Sequence, residues 1–227
     1  MTSSAPESTP LADTEADLPT PAADPSPAPG RKRPRPGERR VQILQTLASM
    51  LEQPGADRIT TAALAARLEV SEAALYRHFA SKAQMFEGLI DFIEQSVFSL
   101  INQLGEREPD PLQRCRKLVA LLLQFGEKNP GMTRVMVGDA LVFENDRLQQ
   151  RMNQFFDKIE AALRQDLREA ATIAGTATPT VDAQADASTL TAFCVGRLQR
   201  YARSGFRRLP AEGIEHSLVR LLPTAPL

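Results

Sequence analysis

From Glu38 to about Phe206, apolar residues recur three or four positions apart, and Pro-Gly, Gly or Asn-Pro-Gly breaks close the stretches that carry them. This is the period of one helix face, and no region alternates with the two-residue period of a strand. The pattern predicts an all-α chain. A first helix begins at Glu38, with Val41, Leu44, Leu47, Ala48 and Leu51 on one face, and stops at Pro54-Gly55. Thr60-Thr61 is suited to cap a short helix whose apolar face is Leu64, Ala65 and Leu68. Ser71 is the N-cap of a third helix of about two turns ending at Phe79. Ser81, with Gln84 three residues later, forms a capping box.

That box opens a long helix from Lys82 to about Leu104, with Met85, Leu89, Phe92, Ile93 and Val97 spaced for a buried stripe. Gly105, Pro109 and Pro111 mark its end. The next helix spans about Leu112 to Glu127, and its run Leu118 to Leu123 is apolar nearly all round, which places it at the centre of the core. Beyond the Asn129-Pro130-Gly131 break, helical spacing resumes at about 133–142, 146–172 and 186–206, with a Gly/Thr/Pro segment at 175–180.

Composition narrows the function classes. The chain has 227 residues with 42% hydrophobic and 24% charged, ordinary for a packed protein and long enough for a small module and a larger one. No run approaches the ~18 apolar residues of a membrane span, and the first 30 residues lack the pattern of a secretory signal. A cytoplasmic location is expected. Cys115 and Cys194 belong to no CxxC and have no companion histidines, so neither a disulfide framework nor a metal site is expected. His216 is solitary, and Glu144, Asp146 and Asp157 fall at spacings of solvated helix faces. With no phosphate loop, zinc-protease motif or nucleophile elbow, the chain reads as a non-enzyme without a cofactor.

The formal net charge of -1 hides an asymmetry along the chain. Residues 1–30 hold seven prolines and five acids but no Lys or Arg, the composition of a disordered acidic tail. A basic arm follows, Arg31-Lys32-Arg33-Pro34-Arg35-Pro36-Gly37, continuing to Arg39-Arg40, and residues 31–82 carry ten basic against five acidic groups. Such a concentration is the footprint of a face that binds a polyanion.

The polyanion reading sharpens at residues 60–79, where two short helices joined by a tight turn match a helix-turn-helix. Ala73 and Ala74, small residues early in the second helix, let it approach base edges closely. Tyr76, His78 and Lys82 at its far end are placed to reach backbone phosphates. The N-terminus at Ser71 adds partial positive charge.

The runs Ile59 to Ala65 and Val70 to Lys82, with the block Tyr76-Arg77-His78-Phe79-Ala80-Ser81-Lys82, resemble the DNA-binding domain of TetR-type regulators. The resemblance implies phosphate contacts from Thr60, Tyr76 and Lys82, and base readout by Ser71, Glu72, Ala73 and Arg77; Arg39, Arg40, Thr61 and His78 complete the expected interface. One departure is Glu69, where the family usually has glycine in the turn; a left-handed conformation there strains any other residue.

Further matches, at Phe92-Ile93-Glu94, Phe125 to Gly131, Asp146-Arg147-Leu148-Gln149 and Ala192-Phe193-Cys194, resemble the SlmA-type nucleoid occlusion factors of proteobacteria. That resemblance implies a DNA-bound homodimer that recruits the tubulin-like division protein FtsZ over the nucleoid, through a surface corresponding to Phe92, Leu121, Lys128 and Asn129. Where that family often has a basic residue and a glycine, this chain has Leu100 and Gln124.

The expected organisation is a tail and arm over 1–37, a three-helix DNA-binding domain over 38–82, and a helical dimerisation and partner-binding domain over 83–227. The helices at 146–172 and 186–206 are expected to form the dimer interface, with Leu163 and Leu198 facing the partner. The rival reading is a TetR-type repressor released by a small-molecule effector, and a second is a nucleoid-structuring protein without a division partner.

Overall fold

The computed structural model of the chain describes residues 37–53 and 58–222. The expected acidic tail, the arm up to Pro36 and the Pro54-Gly55 stop lie outside the described residues. Among the described residues the structure holds α-helices, one short 3-10 turn and no strand. The helices are α1 (Glu38–Leu51), α2 (Thr61–Arg67), α3 (Glu72–Tyr76), α4 (Lys82–Arg107), α5 (Pro111–Lys128), α6 (Pro130–Met136), α7 (Asp146–Ile173), α8 (Pro179–Arg203) and α9 (Ile214–Leu221). The 3-10 turn covers Asp139–Leu141 between α6 and α7.

The core follows the helical period. Ile90, Ile93 and Val97 of α4, Leu118, Val119, Leu122 and Leu123 of α5, and Leu148, Met152, Phe155 and Ile159 of α7 are fully buried. α7 packs most extensively on α8, and α5 packs on both α4 and α7. The centre of α5 therefore lies where its all-round apolar run places it. α1 is buried through Ile43, Leu47, Ala48 and Leu51, and it packs on α2, α4 and α6. Its approach to α4 is close because Gly88 has no side chain: a Cβ there would stand 3.0 Å from both methyls of Leu44.

Several expectations are corrected. Arg39 and Arg40 belong to α1 rather than to an extended arm, because their positions already lie within the helix that Glu38 opens. α3 has five residues rather than two turns. α4 runs through Gly105 to Arg107, since one exposed glycine costs a helix only ~1 kcal/mol. α6 begins at Pro130, the break residue, because proline is suited to the first helical turn.

α8 begins at Pro179, not at 186, and its first turns bury Ala183 and Ala187, residues too small to stand out as an apolar stripe. Phe92 is 47% exposed, so it is not part of the buried stripe of α4. Leu163 and Leu198 are each 0% exposed within one chain, and Leu198 lies against Gly126 of α5; neither can face a partner.

Candidate nucleic-acid interface

The helix-turn-helix is built from local caps. The Thr60 hydroxyl accepts from the Ala63 amide at 3.1 Å and starts α2. Ser71 starts α3 in the same way, accepting from the Ala74 amide at 3.3 Å. Leu64, Ala65, Leu75 and Phe79 are buried beneath, which fixes the two short helices against the core.

The turn between them closes with paired hydrogen bonds, Glu69 N–H to Ala66 O at 3.1 Å and Val70 N–H to Ala65 O at 3.0 Å. This is the Schellman pattern, which needs a left-handed residue at its first position past the cap. Glu69 adopts it, with φ of 55°. The ends of α7 and α8 show the same pairing with glycine in that place, Gly175 and Gly205.

Two of the expected contact residues hold each other: the Thr61 hydroxyl donates to the Glu72 carboxylate at 2.5 Å, linking the starts of α2 and α3. Thr60, Ser71, Glu72, Ala73, Tyr76, Arg77 and His78 are all exposed, and Ala73 presents no bulk beyond its methyl. Tyr76 is 45% exposed.

The basic residues divide. Arg39 Nη1 donates to the Gln42 side chain at 2.8 Å. Arg40 folds back over the end of α3, donating from Nη1 to the His78 carbonyl at 2.8 Å, with its guanidinium carbon 4.0 Å from the Phe79 ring centre. It thereby ties α1 to the residues that follow α3.

Lys82 opens α4 behind the Ser81 cap. Ser81 Oγ accepts from the Gln84 amide at 3.2 Å, while Gln84 Oε1 accepts from Ala80 N–H at 2.8 Å, one residue earlier than the usual box. The Lys82 ammonium is ion-paired with Glu144, which precedes α7. Glu144 is 11% exposed on its side chain and does not lie on a solvated helix face, as its spacing alone suggests. No local signal links two residues 62 positions apart.

Of the expected partner-surface residues, Phe92 is exposed on α4, Leu121 is half-buried on α5, and Lys128 is exposed at the end of α5. Leu121 and Lys128 lie seven residues apart and so share one face of α5. Asn129 is half-buried and donates from its side chain to the Phe125 carbonyl at 2.8 Å.

Among the described residues, no group of His, Cys, Asp and Glu could hold a metal ion, and no helix is long and apolar enough to cross a membrane. Both cysteines are free and buried, and burial pushes each thiol up to about 12.

An exposed small-faced α3, braced by α1 and preceded by a capped α2, defines a helix-turn-helix DNA-binding protein of the TetR type. The family model described as bacterial regulatory proteins, tetR family, matches residues 43–89. The SlmA-like model, described as tetracyclin repressor-like, C-terminal domain, matches residues 109–222.

Two relatives named nucleoid occlusion factor SlmA match both parts. That of Photobacterium profundum is 53% identical over 179 residues, covering 78% of this chain and 91% of the relative. That of Cronobacter sakazakii is 54% identical over 178 residues, covering 78% and 89%. The chain belongs to the SlmA family of nucleoid occlusion factors. A TetR-like transcriptional regulator from Rhodococcus sp. RHA1 shares the fold, with a TM-score of 0.66 at 18% identity over 83% of this chain and 97% of that one.

Proposed function

We propose that the chain acts as a homodimer on duplex DNA and, from the nucleoid in the cytoplasm, blocks assembly of the division ring by binding FtsZ. The observation that carries this reading is the similarity of more than half of the aligned residues to nucleoid occlusion factors, across both the helix-turn-helix and the larger helical part. Residues 38–82 serve as the DNA-reading domain and 83–227 as the dimerisation and partner domain, with α4 shared by both.

At the DNA, Ala73 admits α3 to the major groove, with Ser71, Glu72 and Arg77 at base edges. Thr60, Tyr76 and Lys82 set the register on phosphates, supported by Arg39, Arg40, Thr61 and His78. Two half-sites require two copies. The outward face of α8 carries Ala185, Ser188 and Ala192, small exposed residues beside which a second copy's helices can pack closely.

Phe92, Leu121, Lys128 and Asn129 form the FtsZ surface in this reading. An exposed phenylalanine beside the fully buried Ile93 supplies an apolar anchor, and Lys128 an attraction for an acidic segment. The test pairs Lys128→Glu with Asn129→Ala. DNA affinity is retained, FtsZ binding is lost, and overproduction no longer blocks division. Wild-type protein that bound FtsZ no better than an unrelated DNA-bound dimer would sink the proposal.

A further inference from the structure

The end of α4 nearest the recognition helix is held to the start of α7 by a ladder of ion pairs. Lys82 meets Glu144 at the first rung. Glu87 and Arg147 follow at 2.8 Å, then Arg151 bridges Asp91 at 2.5 Å and Glu94 at 2.7 Å. The polarity reverses along it: α4 supplies the cation at the first rung and carboxylates at the rest.

The backbone that carries Glu144 is fixed from its own side. Its amide donates to Leu141 O at 3.0 Å, and the next residue, Asn145, caps α7 by accepting from Arg147 N–H at 3.1 Å. Lys82 is 24% exposed on its side chain, and its ammonium lies 5.6 Å from the Phe86 ring centre. Among the described residues no second carboxylate pairs with it.

We propose that Glu144 is an intramolecular stand-in for a DNA phosphate: it occupies Lys82 in the free protein, and duplex DNA must displace it to complete the interface at the start of α4. The inference rests on the reading of Lys82 as a phosphate contact. A lysine ammonium is a compact point charge on a flexible stem with rotatable donors, so it can turn from a carboxylate to a phosphate. A phosphate arriving at Lys82 competes with the Glu144 carboxylate and meets its like charge at close range. Both effects lower affinity for every duplex, irrespective of sequence. Glu144 thus sets how tightly the helix-turn-helix holds DNA without touching a base. The remaining rungs do not involve Lys82, so they stay closed while the first one opens.

The experiment measures duplex binding by fluorescence anisotropy over a series of salt concentrations, with a specific and a random duplex. The four proteins are the full chain, K82A, E144Q and K82A/E144Q, each checked by thermal unfolding. K82A weakens binding to both duplexes and lowers the salt slope by about 0.9. E144Q tightens binding to both by ~2- to 5-fold, the scale of a part-exposed ion pair, and most of that gain disappears when Lys82 is also removed.

Acylation of Lys82 read by mass spectrometry gives an independent measure. Without DNA the residue reacts faster in E144Q than in the unaltered chain, and DNA protects it in both. Equal or weaker DNA binding by E144Q, a gain undiminished in the K82A background, or unchanged Lys82 reactivity each overturns the proposal while leaving the Lys82 contact standing. If K82A itself changed neither affinity nor salt slope, the phosphate reading of Lys82 would fall, and this inference with it.

Discussion

A Cβ added to Gly131 would stand 2.1 Å from the carbonyl oxygen of Ala48, so α6 meets the backbone of α1 directly. The contact ties α1 to α6, and Glu52 Cγ closes the same spot at 3.2 Å. A backbone atom cannot swing aside as a flexible side-chain tip can. The Gly131→Ala variant must separate α1 from α6, at a cost of about 1–3 kcal/mol. Gly105→Ala is the matched control: that glycine is also helical and has nothing within 4 Å. It gains roughly 0.5–1 kcal/mol from helix propensity. Urea unfolding of both variants reads the opposite signs, and a G131A protein as stable as wild type would disprove the close approach.

Glu69 supplies a second stability test, because its φ of 55° belongs to a conformation that costs a residue with a Cβ roughly 1–2 kcal/mol. Glu69→Gly raises stability by roughly 0.5–1 kcal/mol after allowing for the greater freedom of glycine in the unfolded chain. Glu69→Asn gains less. Thermal unfolding of the pair is the check; a fall in both midpoints would show that the glutamate side chain contributes more than its backbone costs.

The dimer interface proposed for the outward face of α8 has its own test. Ala192→Arg places a charge on an exposed position, so the fold survives while the second copy is repelled. Sedimentation reads a monomer whose affinity for a two-half-site duplex falls steeply. Substituting Leu163 or Leu198 instead unfolds the chain, since both are 0% exposed in a single copy. An Ala192→Arg dimer of unchanged stability would remove α8 from the interface.

The buried thiols predict how stability depends on alkaline pH. Burial holds Cys115 and Cys194 at about 12 in the folded chain, and Tyr201 is also raised by burial, then by Glu127 and Glu52. In the unfolded chain the thiols ionise near ~8.5. Above that pH the unfolded state releases protons that the folded state keeps, so stability falls as pH rises from about 9 towards 12. Urea midpoints across this range fall more steeply for wild type than for Cys115→Ala, although that variant starts from a lower stability. At pH 8 a thiol reagent labels neither cysteine until the chain unfolds; rapid labelling of the folded protein would contradict their burial.

The all-α character, the N-caps at Thr60, Ser71 and Ser81, and the helix-turn-helix were determined by the sequence alone, because each depends on residues within one or two turns of one another. The exposed placement of Thr60, Ser71, Glu72, Ala73, Tyr76, Arg77 and His78 around α2 and α3 was legible for the same reason. Other features depended on which elements meet. Periodicity marks an apolar face without saying what covers it, so Phe92 turns outward at the edge of the α4 stripe while Leu163 and Leu198 turn inward, Leu198 against Gly126 of α5. Ala183 and Ala187 become core only because α7 lies against them. The pairing of Lys82 with Glu144 spans 62 residues and exists because α4 and α7 lie side by side, a juxtaposition that only tertiary packing creates.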